Sequence, residues 1–263
     1  MAVNEYNIQR NRVKGALKMQ NTVTDKNTER LAAAEQPGTE SYWVFLLLMF
    51  VGGFYGAFTY SIRGGVFCNA QTSNFVLMAM AFGNGETAHA FYYLIPITAY
   101  FLGAVVSEFF LQRTQKIGLL RWETVIIVVE LGVVVFLGLL PESAPFQITQ
   151  ITLNFLCSMR YNTFRKTRGI AMATTFCTNH LRQTGIAAVG FIKDPKDREK
   201  AIKLISHVVM IVTFVVGAVI STALCRVMMG KAIFVTLIPL TAVFVGLVRR
   251  DIKSRAYTKV KAA

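Results

Sequence analysis

The chain has 263 residues, 54% of them hydrophobic and only 16% charged, with a mean hydropathy of +0.46. Soluble domains carry about 25% charged residues, so this composition excludes an ordinary soluble enzyme and points to an all-α polytopic membrane protein. The formal net charge of +14 reads as basic loops facing the cytoplasm and anionic lipid; no nucleic-acid-binding module is recognisable.

Residues 1–41 are polar and carry Arg10, Arg12, Lys14, Lys18, Lys26 and Arg30. They are expected to form a cytoplasmic tail, either disordered or with an amphipathic helix over 6–19 lying on the membrane. No cleavable leader is expected, because the first apolar run is too long and too far from the amino terminus. That run, 42–62, is the first predicted span, and its Gly52, Gly53 and Gly56 permit close helix contact, within the chain or across a homodimer. Further spans are predicted over 90–112, 119–140, 146–164, 201–225 and 232–248, and a basic tail begins at Arg249.

Two polar segments lie between these spans. The first runs Arg63-Gly64-Gly65-Val66-Phe67-Cys68-Asn69-Ala70-Gln71-Thr72-Ser73-Asn74. The second starts 105 residues later as Arg168-Gly169-Ile170-Ala171-Met172-Ala173-Thr174-Thr175-Phe176-Cys177-Thr178-Asn179-His180. Both start with Arg-Gly, pass through small residues, reach a polar knot, and continue into a small or apolar run closed by Gly83 or Gly190. One gapped residue superposes them, so the layout suggests an internal repeat: 42–140 as one half and 141–248 as the other.

Placement of lysine and arginine decides whether these segments cross the membrane. If both cross, giving eight spans, the outer loops hold ten basic residues and the inner loops five. If both dip in and return, the inner loops hold twelve and the outer loops three: Arg63, Arg226 and Lys231. The positive-inside rule favours six spans with two re-entrant segments and both termini cytoplasmic. Each half then crosses an odd number of times, so the halves form an inverted repeat. Re-entrant backbone is tolerated only where protein or a polar cavity satisfies it. Thr72, Ser73, Thr178 and Asn179 are placed to cap the half-helices that follow, whose amino termini attract anions or polar oxygens.

The candidate path residues are therefore Gln71, Thr72, Ser73, Asn74, Thr178, Asn179, His180 and Arg182, the last either a cationic guard or a snorkelling interface residue. Glu130, in the middle of the third span, is a costly carboxylate at mid-depth and must be protonated or paired. It reads as a proton-coupling or substrate group, or as a structural hydrogen bond between helices. His180 is a second protonation candidate, unless neighbouring backbone satisfies it. Arg63 and Arg168 read as interface anchors. Glu108 is expected to be solvated near the cytoplasmic end of its span, and His207 to sit at the interface. Cys68, Cys157, Cys177 and Cys225 lie in apolar stretches without zinc-ligand spacing and read as small buried hydrophobes. Cys177-x-x-His180 alone is a weak start for a metal site. No P-loop, dinucleotide fingerprint or nucleophile–base spacing appears, so neither cofactor nor enzymatic activity is expected.

Arg63-Gly64-Gly65-Val66-Phe67 with Ala70-Gln71-Thr72-Ser73-Asn74, followed by Asn162-Thr163-Phe164-Arg165 and Ala173-Thr174-Thr175-Phe176-Cys177-Thr178, resembles the YoaK-like (DUF1275) family of bacterial integral membrane proteins over about residues 44–248. The resemblance implies a multi-pass protein of the cell membrane and carries no activity with it. It also implies an acidic residue in the first span, where Gly56 stands here. The family's Thr-Gly-Asn in each knot is Thr72-Ser73-Asn74 and Thr178-Asn179-His180 in this chain. The expected function is a small transporter or channel for a small polar or anionic solute, with its path between the two halves. The alternative is a membrane scaffold or sensor whose basic loops recruit partners or anionic lipid. An intramembrane enzyme ranks third for want of a catalytic constellation.

Overall fold

A computed structural model describes residues 41–113, 116–117, 120–167 and 170–262. The expected helix over 6–19 lies outside the described residues, as do Arg168 and Gly169. The first helix, α1 (Tyr42–Ile62), is the hub. Its Phe45, Leu48, Phe54, Tyr55 and Phe58 are fully buried, so it is surrounded by protein. It ends where Gly64 and Gly65 take positive φ values of 87° and 69°, a left-handed turn that glycine enters without steric cost. A non-helical stretch leads to the short helix α2 (Gln71–Gly83), followed by α3 (Thr87–Tyr92) and the long α4 (Leu94–Arg113). A two-residue hairpin, β1 (Lys116–Ile117) with β2 (Leu120–Arg121), pairs Lys116 with Arg121 and opens α5 (Trp122–Leu139).

The second part starts with α6 (Phe146–Thr163) and a second hairpin, β3 (Lys166–Thr167) with β4 (Ile170–Ala171). A second non-helical stretch precedes the short helix α7 (Thr178–Lys193). Asp197 caps α8 (Arg198–Met228), its side chain accepting from the Glu199 and Lys200 amides at 2.9 and 3.3 Å. Lys200 and these amides hold the Asp197 carboxyl below its usual range. Helix α8 breaks at Met229, where φ is 50°, and a 3-10 turn over Met229–Thr236 leads into α9 (Leu237–Ala262). The expected tail from Arg249 thus begins as a continuation of α9.

Among the described residues, four helical stretches are long and apolar enough to cross a membrane: Tyr42–Ile62, Thr87–Leu111, Trp122–Leu139 and Arg198–Lys253. The last has 56 residues, far more than the ~20 needed for one crossing, and the Met229 break divides it. Helix α6, the fourth predicted span, falls short of the apolar criterion because Gln147, Gln150, Asn154, Arg160 and Asn162 lie within it. Most of that polarity faces inward: Gln150, Asn154 and Arg160 are fully buried. Large apolar side chains such as Phe101, Val105, Val129, Phe136, Val212 and Val219 instead face outward. This is the distribution expected of a chain solvated by lipid.

Helix α1 packs along α8, α4 along α6, α7 along α8, and α9 against α5 and α1. The tightest approaches are made by glycines. A Cβ at Gly217 of α8 would collide with the Phe50 carbonyl of α1, and one at Gly53 with the Phe214 carbonyl of α8. A Cβ at Gly103 of α4 would collide with the Phe155 carbonyl of α6. Phe50 and Phe155 stand as far apart in sequence as Arg63 and Arg168. Gly52, Gly53 and Gly56 all meet groups of their own chain, so the glycine face of the first span is used in internal packing. Gly217→Ala should therefore lower thermal stability of the detergent-purified protein by an overpacking cost of about 1–3 kcal/mol. Gly132→Ala in α5, where an added Cβ meets nothing within 4 Å, should leave it unchanged or raise it.

Candidate functional site

The two non-helical stretches are held by the same device. In the first, the Asn74 side chain donates to the Phe67 carbonyl at 2.7 Å and accepts from the Phe67 amide at 3.0 Å. In the second, the His180 ring lies 2.9 Å from the Ala173 carbonyl and 3.4 Å from the Ala173 amide through Nε2. Each knot reaches back to the residue seven positions earlier: Asn74 bonds both backbone groups of Phe67, whereas the single Nε2 of His180 serves one group of Ala173, the carbonyl. Asn74 and His180 are both fully buried, which explains their presence: an unwound backbone inside a membrane protein must find partners locally.

The remaining predicted path residues separate. Gln71 accepts from the Asn74 amide at 3.0 Å and donates to Asn154 of α6 at 2.7 Å. Thr72, Thr178 and Arg182 are exposed, and Ser73 and Asn179 half-buried. The capping roles expected of Thr72, Ser73, Thr178 and Asn179 are not observed. The N-cap positions are Ala70 and Cys177, neither with a side-chain cap bond, so both caps precede the expected ones. The Arg182 side chain lies on the exposed face of α7, away from the buried groups that a guard would watch.

His180 also meets a residue not expected inside. Its Nδ1 lies 3.0 Å from Nδ1 of His207 on α8, and both rings are fully buried. Because His180 Nε2 faces a carbonyl at 2.9 Å, Nε2 carries the hydrogen and Nδ1 is the acceptor. The bond between the rings is then donated by His207 Nδ1–H, and His207 Nε2 has no hydrogen-bond partner. Both rings are neutral in this arrangement.

Glu130 is 1% exposed and paired with Arg160 of α6, itself 0% exposed, at 2.6 Å. Arg160, one of the basic residues counted toward the inner loops in the charge balance, lies in the last turns of α6, and its guanidinium sits over the Tyr55 ring at 5.6 Å. Beside it, the second non-helical stretch presses on α1: a Cβ at Gly52 would lie 2.6 Å from the Thr174 carbonyl and 3.4 Å from Arg160 Nη2. The first stretch reaches the same part of α1, where Asn69 donates to the Gly52 carbonyl at 2.8 Å and lies against Gly56. Gly56, the position where the family resemblance implies an acid, is thus covered by an amide. Both breaks therefore converge on Gly52–Gly56, next to the buried ion pair. Several side-chain atoms there lack hydrogen-bond partners: Arg160 Nε and Nη2, Glu130 Oε2, and the hydroxyls of Thr174 and Thr175. The Tyr55 hydroxyl approaches Glu130 and Thr236 without closing a hydrogen bond. We refer to this group as the chamber.

Other expectations change at the periphery. Arg63 is buried and pairs with Glu142 at 2.9 Å, while Glu142 also accepts from the Gly230 amide at 2.7 Å. Glu108 pairs with Arg165 at 2.5 Å and accepts from Asn162 at 3.0 Å. The four cysteines are free; Cys68, Cys157 and Cys225 are buried, and Cys68 and Cys157 lie with sulfurs 3.7 Å apart. Among the described residues there is no cluster of three or more metal-ligating side chains. His207 and Arg160 are the two site residues that sequence reasoning misplaced. The signal for Arg160 was a helical stripe, Thr149-Leu153-Leu156-Arg160, that continues the buried face of α6.

The ion pair is asymmetric in what its loss does. Removing Arg160 leaves a carboxylate that neutralises by taking up a proton, whereas removing Glu130 leaves a guanidinium that stays charged. Glu130→Ala should destabilise by about 3–5 kcal/mol, and Arg160→Met by clearly less. The double variant should recover most of the loss, as read by thermal unfolding in detergent.

Residues 44–246 match the family model described as a protein of unknown function (DUF1275). No curated protein and no solved structure matches the chain. With the matched region covering most of the sequence, the chain belongs to the DUF1275 family.

Proposed function

We propose that the protein is a small membrane transporter or channel that passes a small polar or anionic solute between two inverted halves. The observation that carries this reading is the convergence of both helix breaks on Gly52–Gly56 beside a buried ion pair whose polar atoms are incompletely partnered. Buried donors and acceptors without partners cost roughly 1–3 kcal/mol each, more where a charge is involved. Their concentration at one place, at the middle of α1 and α5, is what a polar solute would offset.

The inverted repeat is supported by contacts that recur between the halves. Gly217 on Phe50 corresponds to Gly103 on Phe155, and the Asn74 stitch corresponds to the His180 stitch. The contact of Gly52 with Thr174 corresponds to that of Cys157 with Cys68. Tyr55 and Arg160, equivalent by the same spacing, face each other, so the axis relating the halves passes between them. In this reading six spans and two re-entrant segments place both termini in the cytoplasm of a cell membrane. The hairpins at 116–121 and 166–171 lie on the cytoplasmic side, against anionic lipid.

Single cysteines placed in the 113–121 segment of a cysteine-free background should be labelled from the cytoplasmic side only. Labelling from outside would remove the inverted arrangement. In proteoliposomes, a panel of small anions, organic acids and neutral polar solutes should yield at least one that crosses faster than in empty vesicles. Arg160→Met should reduce that flux by at least about tenfold, equivalent to 1.4 kcal/mol. A scaffold would show no flux for any solute and would tolerate Asn74→Leu without functional loss.

A further inference from the structure

The chamber's geometry is more specific than a polar interior requires. Arg160 gives Nη1 to Glu130 and keeps Nε and Nη2 without partners. These two nitrogens form one edge of the guanidinium, with parallel N–H bonds at the spacing of two carboxylate oxygens. That edge is fully buried, and Nη2 lies on the Gly52 side of α1, where the absence of a Cβ lets the backbone of Thr174 and Thr175 come close. Both threonine hydroxyls are buried and unpartnered, and a hydroxyl can donate to an oxyanion. Helix α7 starts three residues after Thr175, so the positive end of its dipole begins next to the same group. Four unpartnered donors thus belong to this group, with Glu130 Oε2 as an unpartnered acceptor.

We propose that the chamber is a binding site for a small monocarboxylate, held by the Nε/Nη2 edge of Arg160 and the hydroxyls of Thr174 and Thr175, and that one proton is bound on Glu130 together with each carboxylate. This deepens the transporter reading and rests on it for the solute's path. The proton follows from charge. Empty, the chamber holds one guanidinium and one carboxylate and is neutral. A second carboxylate makes it a buried net anion, which a low-dielectric interior opposes strongly. Protonating Glu130 restores neutrality: one guanidinium, one bound carboxylate, one carboxylic acid. The acid keeps its place as a hydrogen-bond partner, now with a proton to donate. The titratable groups facing Glu130 are Arg160 and Cys157 of α6 and Tyr55 of α1, with Cys68 behind Cys157. None of them supplies a second positive charge that would make the proton unnecessary. A dianion would require two protons and has one acceptor to receive them, so monoanions are selected.

The test is calorimetric titration of the full-length detergent-purified protein with sodium acetate, in two non-carboxylate buffers of different ionisation enthalpy. The expected result is uptake of about one proton per acetate and an affinity that falls about tenfold per pH unit as pH rises above the ordinary carboxylate range. Glu130→Gln should still bind acetate, with neither proton uptake nor pH dependence. Arg160→Lys keeps the charge but lacks the fork, and should weaken binding at least tenfold. Thr175→Val, a smaller change that leaves the ion pair intact, should weaken it several-fold with unaltered thermal stability. Acetate binding without proton uptake overturns the coupling. Equal binding of acetamide or chloride, indifferent to Arg160→Lys and Thr175→Val, overturns the carboxylate assignment while flux of another solute in vesicles keeps the transporter reading. Absence of acetate binding in a folded protein overturns the site, and absence of flux for every solute takes the transporter reading with it.

Discussion

Unwound backbone in a membrane interior leaves amide and carbonyl groups that neither lipid nor a continuing helix can satisfy. Much of the polar organisation of this protein follows from having two such stretches. Each needs a side chain that reaches back to the backbone of the unwound stretch, and the chain supplies Asn74 and His180. Each also needs a neighbouring helix that carries polar groups and lets the backbone come close. Helix α1 meets the second need with Gly52 and Gly56, and α6 with Gln150 and Asn154, at the expense of its own hydropathy. The close crossings through Gly53, Gly103 and Gly217 then bring α8 and α4 in behind. Membrane helices lack the hydrophobic drive that gathers them in water, and small residues at contacts replace it with dispersion over short distances.

Sequence alone disclosed the helical class and most helix limits, because long apolar runs and basic loops carry strong signals. The polar knots stood out for the same reason, since Gln71-Thr72-Ser73-Asn74 is costly in apolar surroundings. Their internal wiring was not legible. The expectation that Thr72 or Thr178 would cap a helix follows local preference, but the caps are Ala70 and Cys177. Glu130 was legible as a buried acid in need of a partner. Arg160 was not legible as that partner, because an arginine near a helix end next to three more basic residues reads as a loop charge. His207 was hidden for a related reason: it lies in the second turn that follows a strongly basic segment, and only packing against α7 takes it inside.

The ion pair and the histidine pair solve different problems with titratable groups. Arg160 and Glu130 neutralise each other and leave donors over; His180 and His207 share one hydrogen bond in a neutral arrangement and leave a single acceptor. One chain thus keeps a charged and an uncharged polar centre apart, each joined to the same non-helical stretch through Thr174, Thr175 or Ala173. Neither centre depends on the net charge of +14, which belongs to the ends and loops and bears on orientation in the bilayer.

If the two halves are a duplication, as proposed, they offer duplicated chemistry, and the correspondence is unequal in one place. Gly52 against Thr174 corresponds to Cys157 against Cys68. In the first contact there is no side chain on the helix and an unpartnered hydroxyl on the break; in the second, two thiols meet at 3.7 Å and fill the corresponding volume with polarisable, weakly bonding sulfur. Two equivalent solute positions would have forced two like-charged guests to share one low-dielectric interior. Sulfur occupies the second position, so the binding proposed here would be limited to a single guest per chain.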